Sequence, residues 1–241
     1  MKRRDILAAG ALLSVLPLTA CGVGPDPTPT YRYRLTVEVD TPDGLKTGSS
    51  VIEVETHIAG KTAITTPGRV TQKARGEAVA VDLGEGRTLF ALLRSPTDVD
   101  WAGNVMTLLV PGSHSFQQRF DFMLENGRVI ELPPYFEDRA HIQNRLARPM
   151  LVTFRDLADP SSVAEVEPDD LATSFGDGVD LERMTVQLTN DPLTMTIEDR
   201  LTWLANVRGA LVKIPISERP PTGLPLPLHA TLSETAFLRS W

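Results

Sequence analysis

The sequence predicts an α+β protein, rich in antiparallel strands with a few short helices, that follows a cleaved signal peptide. Three observations lead to this prediction. Apolar and polar residues alternate in several stretches from position 31 onward, turn sequences separate these stretches, and the later helical patterns are all short. Hydrophobic residues make up 41% of the 241-residue chain, which is typical of a globular core.

The first third of the mature chain predicts an antiparallel sheet. Apolar and polar residues alternate strictly over residues 31–40, as expected for a strand with one solvent-exposed face. Residues 41–44 (TPDG) form a turn sequence. The return stretch, residues 45–58, changes its apolar phase around positions 48–50, which predicts a β-bulge.

Further strands and helices follow from the same patterns. Strands are predicted at residues 77–83, 87–93, 128–132, 150–154, 184–188 and 210–216. Helices are predicted at residues 116–124, 136–146, 168–175 and 196–204. Asn126-Gly127 and Gly176 follow two of these helices, and Thr196 with Asp199 forms a weaker version of a capping box for the last.

The N-terminus predicts a processing signal. Positively charged residues 2–4 precede an apolar run at residues 6–20, and the run ends in Leu18-Thr19-Ala20-Cys21. This arrangement resembles the lipobox of bacterial lipoproteins. The resemblance implies that Leu18, Thr19 and Ala20 are read by the processing machinery and that the Cys21 thiol receives a diacylglycerol. The alternative is an uncleaved anchor with a chance cysteine.

The N-terminus is compatible with two export routes. Residues 3–7 (RRDIL) partly resemble a twin-arginine signal, whereas two arginines also suit the general secretion route. Gly22, in place of an aspartate, implies the outer membrane rather than the inner, facing the periplasm. The predicted organisation is therefore a signal peptide at residues 1–20, a Pro-rich tether at 21–30 and a β-rich globular domain at 31–241. A division into two lobes near Pro149 stays open.

The net charge and the cysteine content of the chain limit the classes of binding partner that we expect. The formal charge of −7 becomes −9 once residues 1–20, with three basic and one acidic residue, are removed. An acidic domain has no electrostatic footprint for nucleic acid or for an anionic membrane surface, so the expected membrane contact is the lipid anchor. Cys21 is the only cysteine, and its acylation leaves no thiol for a disulfide. We expect no cofactor.

Three segments carry a second resemblance: YRYRLTVEV, GLKTGSSVIEV and RPMLVTFRDLADPSSV. They resemble an uncharacterised group of proteobacterial envelope proteins, over most of the mature chain. The resemblance implies an envelope protein but brings no activity, substrate or catalytic residue.

Two groups of residues have side chains of the kinds that bind metal ions. Glu53, Glu55 and His57 share one strand face, but ligands along a single strand are splayed, and a solvated sheet face explains them as well. Residues 98–104 (DVDWAGN) faintly resemble a calcium loop and depart from it at Ala102, so a polar turn with a partly buried tryptophan is favoured.

Other groups contain residue types that occur in catalytic sites. Glu137 and His141 lack the second histidine of a zinc protease, and residues 112–115 (GSHS) lack the elbow that exposes a nucleophilic serine. The acidic pairs Asp169-Asp170 and Glu165 with Glu167 suit a glycosidase only at a suitable carboxyl separation. No catalytic residue or metal ligand is assigned.

The alternation at residues 31–34 (YRYR) sends the tyrosines to the core and the arginines to solvent, against a nucleic-acid site.

The predicted function is a lipid-anchored envelope protein with a binding or structural role, which recognises a protein, glycan or other envelope component. The alternatives are a membrane-tethered hydrolase and an assembly accessory of an envelope complex. A hydrolase should show a pocket with converging histidine and carboxylate groups of shifted pKa. A binding module should show an exposed apolar patch or an unpaired sheet edge.

Overall fold

The alternation of residues 31–40 builds an interior strand of a sheet. The side chains at odd positions from Tyr31 to Val39 are buried, and those at even positions lie on the more exposed face. This strand, β1 (Tyr31–Asp40), pairs antiparallel with a neighbour on each side. The structure is a computed structural model that describes residues 28–59, 68–112, 115–137 and 144–240.

Nine further strands and four short helices complete the described elements. The strands are β2 (Lys46–Ile58), β3 (Val70–Glu77), β4 (Val79–Gly84), β5 (Arg87–Ala91), β6 (Ile130–Glu131), β7 (Leu151–Phe154), β8 (Val163–Val166), β9 (Asp180–Leu188) and β10 (Leu238–Arg239). The helices are α1 (Trp101–Leu108), α2 (Phe116–Asn126), α3 (Ala172–Phe175) and α4 (Leu228–Thr231). The predicted α+β class, β-rich and antiparallel, is confirmed.

The strands form two sheets. One has six strands in the order β10-β3-β2-β1-β9-β6, and the other has four in the order β4-β5-β7-β8. Every neighbouring pair is antiparallel. The central strand β5 is covered on both faces, as its continuous apolar sequence predicts.

Two apolar cores define three layers. The larger core lies between the sheets and joins the inward side chains of β1, β2, β4 and β5. The smaller core lies on the other face of the four-stranded sheet, where Phe90 and Phe154 meet side chains from the C-terminal region, among them Leu201, Leu204 and Phe237. The C-terminal region therefore forms a third layer.

Helices α1 and α2 close the end of the sandwich where β1 begins. The Tyr33 hydroxyl donates to the Ala102 carbonyl at 2.8 Å, and the Tyr31 and Phe120 rings lie 5.7 Å apart. Ser115 begins α2 with a capping box, and Gly127 ends it at a left-handed φ of 38°. The prediction of this helix and of its end is confirmed.

The predicted bulge in β2 is wrong. The β1–β2 register runs without a shift, and the irregularity lies instead between β1 and β9, at Glu38 and Val39. The buried positions of β2 keep one phase, the even positions from Gly48 to Thr56, and Val51 is buried in addition. The Val51 N–H donates to the Thr194 hydroxyl at 2.9 Å, so a distant segment rather than an extra residue meets the strand here.

Two predicted C-terminal elements are also wrong. Residues 196–204 form short 3₁₀ turns, Ile197–Asp199 and Leu204–Asn206, and Thr196 provides no side-chain cap. Residues 210–216 make only one isolated bridge, from Ala210 to Ser233. Long-range contacts, which local patterns do not report, shape this region.

The predicted helix at residues 136–146 neither begins nor ends where expected. The Phe136 N–H donates to the Arg145 carbonyl at 3.0 Å, and Tyr135 forms an antiparallel bridge with Leu146. Residues 138–143 lie outside the described residues. Of the predicted helix at 168–175, only its last turn, α3, is helical.

The first described residue, Thr28, is already packed against the fold. It is 5% exposed, and its hydroxyl lies 3.4 Å from the Thr56 carbonyl oxygen as a hydrogen-bond donor. Contacts with the fold are therefore present three residues before β1, inside the segment that the sequence predicts as tether.

Candidate functional site

The outer edge of β3 is open over most of its length. The two-residue strand β10 pairs only with Gly76 and Glu77, and no other described strand lies along residues 70–75. Helix α1 approaches this edge at one point, where Gly103 lies against the Gln72 carbonyl. An unpaired strand edge presents backbone donors and acceptors to a partner.

A cavity of about 730 Å³ lies along this edge, and we call it the edge groove. Its walls come from three distant parts of the chain: residues 71–74 of β3, Val99 and Asp100 before α1, and the C-terminal region from Glu198 to Ser240. The groove therefore exists only in the folded chain.

Arg239 places a fixed cation in the edge groove. Its guanidinium donates to the Thr235 carbonyl at 3.1 Å and to the Val99 carbonyl, and it lies 3.7 Å from an Asp100 carboxylate oxygen. The side chain is 19% exposed. Burial lowers the pKa of Arg239, and the negative charge of Asp100 partly opposes this shift.

The rim of the edge groove carries charges of both signs. Lys73 and Arg208 are the cations, and the Arg208 guanidinium donates to the Ala205 carbonyl at 2.9 Å. Glu198 and Glu234 are the anions, and the Glu234 carboxylate accepts the Gly209 N–H at 2.8 Å. Arg208 and Glu234 are thus held in place before any partner arrives.

Gln72 links the groove to the core. Its side-chain oxygen accepts the Thr107 hydroxyl at 3.2 Å, and its amide faces the buried Tyr31 hydroxyl. Burial raises the pKa of Tyr31, and the interaction with Gln72 partly opposes the rise. Tyr31 is therefore a neutral structural residue at physiological pH.

The predicted lipidation residues, Leu18, Thr19, Ala20 and Cys21, lie outside the described residues, as do Ser113, His114 and His141. Glu137 is described, and its carboxylate accepts the Gly112 N–H at 3.2 Å.

The strand-face group Glu53, Glu55 and His57 lies on the outer face of β2. Glu53 lies 2.7 Å from the Arg32 guanidinium and 3.8 Å from that of Arg75. Across the described ranges, no cluster of three histidine, cysteine or acidic side chains is placed to hold a metal ion.

Residues 98–104 (DVDWAGN) contain the N-terminal end of helix α1. Asp98 accepts the Asp100 N–H at 2.9 Å and forms an ion pair with Arg145, so its oxygens have protein partners. Trp101 is fully buried, rather than partly buried as predicted, and its indole N–H donates to the Ala147 carbonyl at 2.9 Å. The segment builds α1.

The acidic pairs have different environments. Asp169 lies 3.3 Å from the Arg148 guanidinium, and Asp170 accepts hydrogen bonds from Thr173 that lower its pKa. Burial, and then the charge of Glu167, raise the pKa of Glu165. Both glutamates line a second cavity, of about 180 Å³.

The YRYR prediction is confirmed, because both tyrosines are buried and both arginines lie on the outer face, where Arg34 meets Asp191 at 2.6 Å.

The chain matches no protein-family model, and it matches neither the curated proteins nor the solved structures. Among the helices described, none combines the length and the apolar character needed to cross a membrane. The structural class is thus a β-rich α+β domain of two antiparallel sheets with a C-terminal covering layer.

Sequence reasoning missed the residues of the edge groove. Arg239, Lys73 and Glu234 stand in unremarkable local sequences and meet only through the pairing of β10 with β3. No spacing rule connects residues this far apart in the chain.

Proposed function

We propose that this protein is a lipid-anchored component of the bacterial cell envelope that binds another envelope component through the edge groove. The anchor is Cys21, and the expected location is the periplasmic face of the outer membrane. The role is binding or structural.

The sequence around Cys21 supports the anchor. Each buried acyl methylene contributes about 0.8 kcal/mol, so two acyl chains hold a protein on a membrane stably. The buried Thr28, where the described structure begins, lies seven residues after Cys21, so a lipid on Cys21 is close to the domain along the chain.

The open outer edge of β3 carries the proposal of binding. An unpaired edge bordered by a large groove is the arrangement into which an extended segment adds as a further strand. The fixed charges of Arg239, Arg208 and Glu234 supply polar contacts without a further ordering cost. The partner class is a protein segment or a glycan of the envelope, and the acidic character of the domain argues against nucleic acid.

The anchor is tested by mass spectrometry of the native protein and by fractionation of cells that carry Cys21→Ala. The expected mature protein begins at an acylated Cys21 and fractionates with membranes, and the variant loses the acyl mass and the membrane association. A native protein with a free Cys21 thiol would refute the anchor.

The groove is tested by reversing one rim charge. Lys73→Glu is compared with Lys213→Glu, an equal change of charge at an exposed position that does not line the groove. In cells crosslinked before lysis, we expect Lys73→Glu to lose the crosslinked partner at least about tenfold, because a charge that contacts the partner is reversed. Lys213→Glu should retain it. Equal crosslinking by both variants would refute the groove as the binding surface.

The raised pKa of Glu165 favours a second candidate function, a membrane-tethered hydrolase. A carboxyl group with a raised pKa beside a second carboxylate suits a general acid. Hydrolysis of a chromogenic glycoside that is lost in Glu165→Gln and kept in Glu198→Gln would select this function.

A further inference from the structure

An exposed apolar patch lies on and beside helix α2, away from the edge groove. Phe122 is 41% exposed and Val129 is 56% exposed, beside the exposed Pro111 and the half-buried Leu109. We call these four residues the α2 patch. Phe122, Pro111 and Leu109 border one small cavity together, and Val129 lies in the chain between Arg128 and Ile130, which border the same cavity.

The α2 patch lies at the end of the domain where the chain enters the fold. The Phe120 ring of α2 contacts the Tyr31 ring at the start of β1. Thr30 and Leu124 line one cavity, and Gly127 lines both this cavity and the one beneath the patch. The patch is therefore a neighbour of the segment that leads to Cys21.

The length of this segment limits the distance between the α2 patch and the membrane. Seven peptide steps join Cys21 to the packed Thr28, and a fully extended chain covers at most about 25 Å in that number of residues. The eleven residues of α2 extend over about 16 Å. The end of the domain that carries α2 is thus held close to any bilayer that contains the Cys21 acyl chains.

We propose that the α2 patch docks into the interface of the bilayer to which Cys21 anchors the protein. This inference rests on the proposed function, since the lipid on Cys21 supplies the membrane. Phe122 and Val129 bury apolar surface at the boundary of headgroups and acyl chains, and the exposed Arg128 lies beside lipid phosphates.

The docking depends on the anchor because the patch is small. Two exposed apolar side chains, flanked by Asp121 and Glu125, bind a bilayer weakly by themselves. A short link to an inserted lipid makes the contact intramolecular and raises its effective concentration. The consequence is a fixed orientation, with α2 towards the bilayer and the C-terminal layer exposed to the periplasm.

The test uses the acylated full-length protein as purified from membranes. Because Cys21 is the sole native cysteine and is acylated, a cysteine introduced by Val129→Cys or Phe122→Cys is the only free thiol. Ile216→Cys, at an 84% exposed position in the C-terminal region, is the control. Each variant receives a nitroxide label and is reconstituted into vesicles of phosphatidylethanolamine and phosphatidylglycerol.

We expect labels at positions 122 and 129 to collide several-fold more with oxygen, relative to a water-soluble nickel chelate, than the label at position 216. A far-UV circular dichroism spectrum equal to that of the unmodified protein shows that each variant is folded, and Val129→Cys alone suffices if Phe122→Cys unfolds. Equal nickel accessibility at positions 129 and 216, with Cys21 acylated by mass, would overturn the docking surface alone. An unacylated Cys21 would overturn the anchor and the docking surface together.

Discussion

A buried carboxylate, Glu77, orders the start of the C-terminal layer. The side chain is 4% exposed, and its oxygens accept the Thr196 and Ile197 backbone N–H groups, the latter at 2.7 Å, and the Thr196 hydroxyl at 3.1 Å. The charge thus takes the place of the side-chain cap that Thr196 does not provide. A residue 119 positions away caps this turn, so the local sequence does not reveal it.

Glu77→Ala is expected to lower the free energy of unfolding by about 3 kcal/mol. The substitution leaves buried N–H groups without an acceptor, and hydrogen bonds to a charged group are among the stronger ones in proteins. Urea unfolding measures the change. Glu167→Ala, at an exposed position, should change stability by less than about 0.5 kcal/mol. Equal effects of the two substitutions would contradict the structural role of Glu77.

We expect Asp191 to contribute to the pH dependence of stability. Hydrogen bonds from Thr189, at 2.7 Å, and from Arg34 lower the pKa of Asp191 below its usual value of 3.8. A lowered pKa in the folded state means that its contribution is fully present above the unfolded value and is lost as pH falls through the folded value. We therefore expect Asp191→Asn to reduce the loss of stability between about pH 5 and pH 2.

The urea midpoint of Asp191→Asn, measured as a function of pH, tests this expectation. Asp177→Asn removes the same charge from an exposed loop and serves as the control. If the acid dependence of Asp191→Asn matched that of the unmodified protein, the hydrogen bonds to Asp191 would have no energetic consequence.

At the scale of elements, the packing of α1 on β3 depends on Gly103. A Cβ atom at this position would lie 2.8 Å from the Gln72 carbonyl oxygen and 3.2 Å from its carbon, which are backbone atoms of β3. Only glycine lets the helix approach the strand this closely.

Gly103→Ala is expected to destabilise the protein by about 1–3 kcal/mol, the usual range for an overpacked contact. The sign is diagnostic, because in a helix with free space alanine is favoured over glycine by about 1 kcal/mol. Thermal and urea unfolding give the sign, and Glu125→Ala on the exposed face of α2 is the control. Stabilisation by Gly103→Ala would show that α1 and β3 do not meet as described.

Local alternation and turn chemistry predict the elements whose burial is set by one covering layer. Strand β1, the turn at Gly44, strand β4 and helix α2 follow from patterns within a dozen residues. Their apolar faces all contribute to the core between the sheets, so period and burial agree.

Sequence patterns fail to predict, or wrongly predict, the elements whose burial depends on distant segments. Strand β3 reads VTQKARGE, with few apolar residues, because its side chains lie beside the polar edge groove. Val51 suggests a bulge because it is buried in addition to the even positions of β2, where the distant Thr194 meets its backbone. The edge groove shares this property: β10 brings Arg239 to β3, and no pattern in either strand indicates the pairing.

At the scale of the whole molecule, the two sheets combine chain from both sides of Pro149. Strand β5 pairs with β7 in one sheet, and β1 pairs with β9 in the other. The core between the sheets likewise joins residues such as Trp101 and Val186. A unit that ended near Pro149 would expose both the edge of β5 and an edge of β1, at a cost in backbone hydrogen bonds and apolar burial.

We therefore expect the protein to unfold in one cooperative transition. Far-UV circular dichroism reports the strands, and fluorescence reports the three tryptophans, among them Trp101, in the core between the sheets, and Trp203, in the C-terminal layer. In urea the two signals should give superimposable transitions with one midpoint, because neither sheet is complete without strands from both halves. Two resolved transitions would contradict this expectation and would support separate lobes that divide near Pro149. The same measurement on Gly103→Ala should move both signals together, since a contact that belongs to a shared core destabilises the whole.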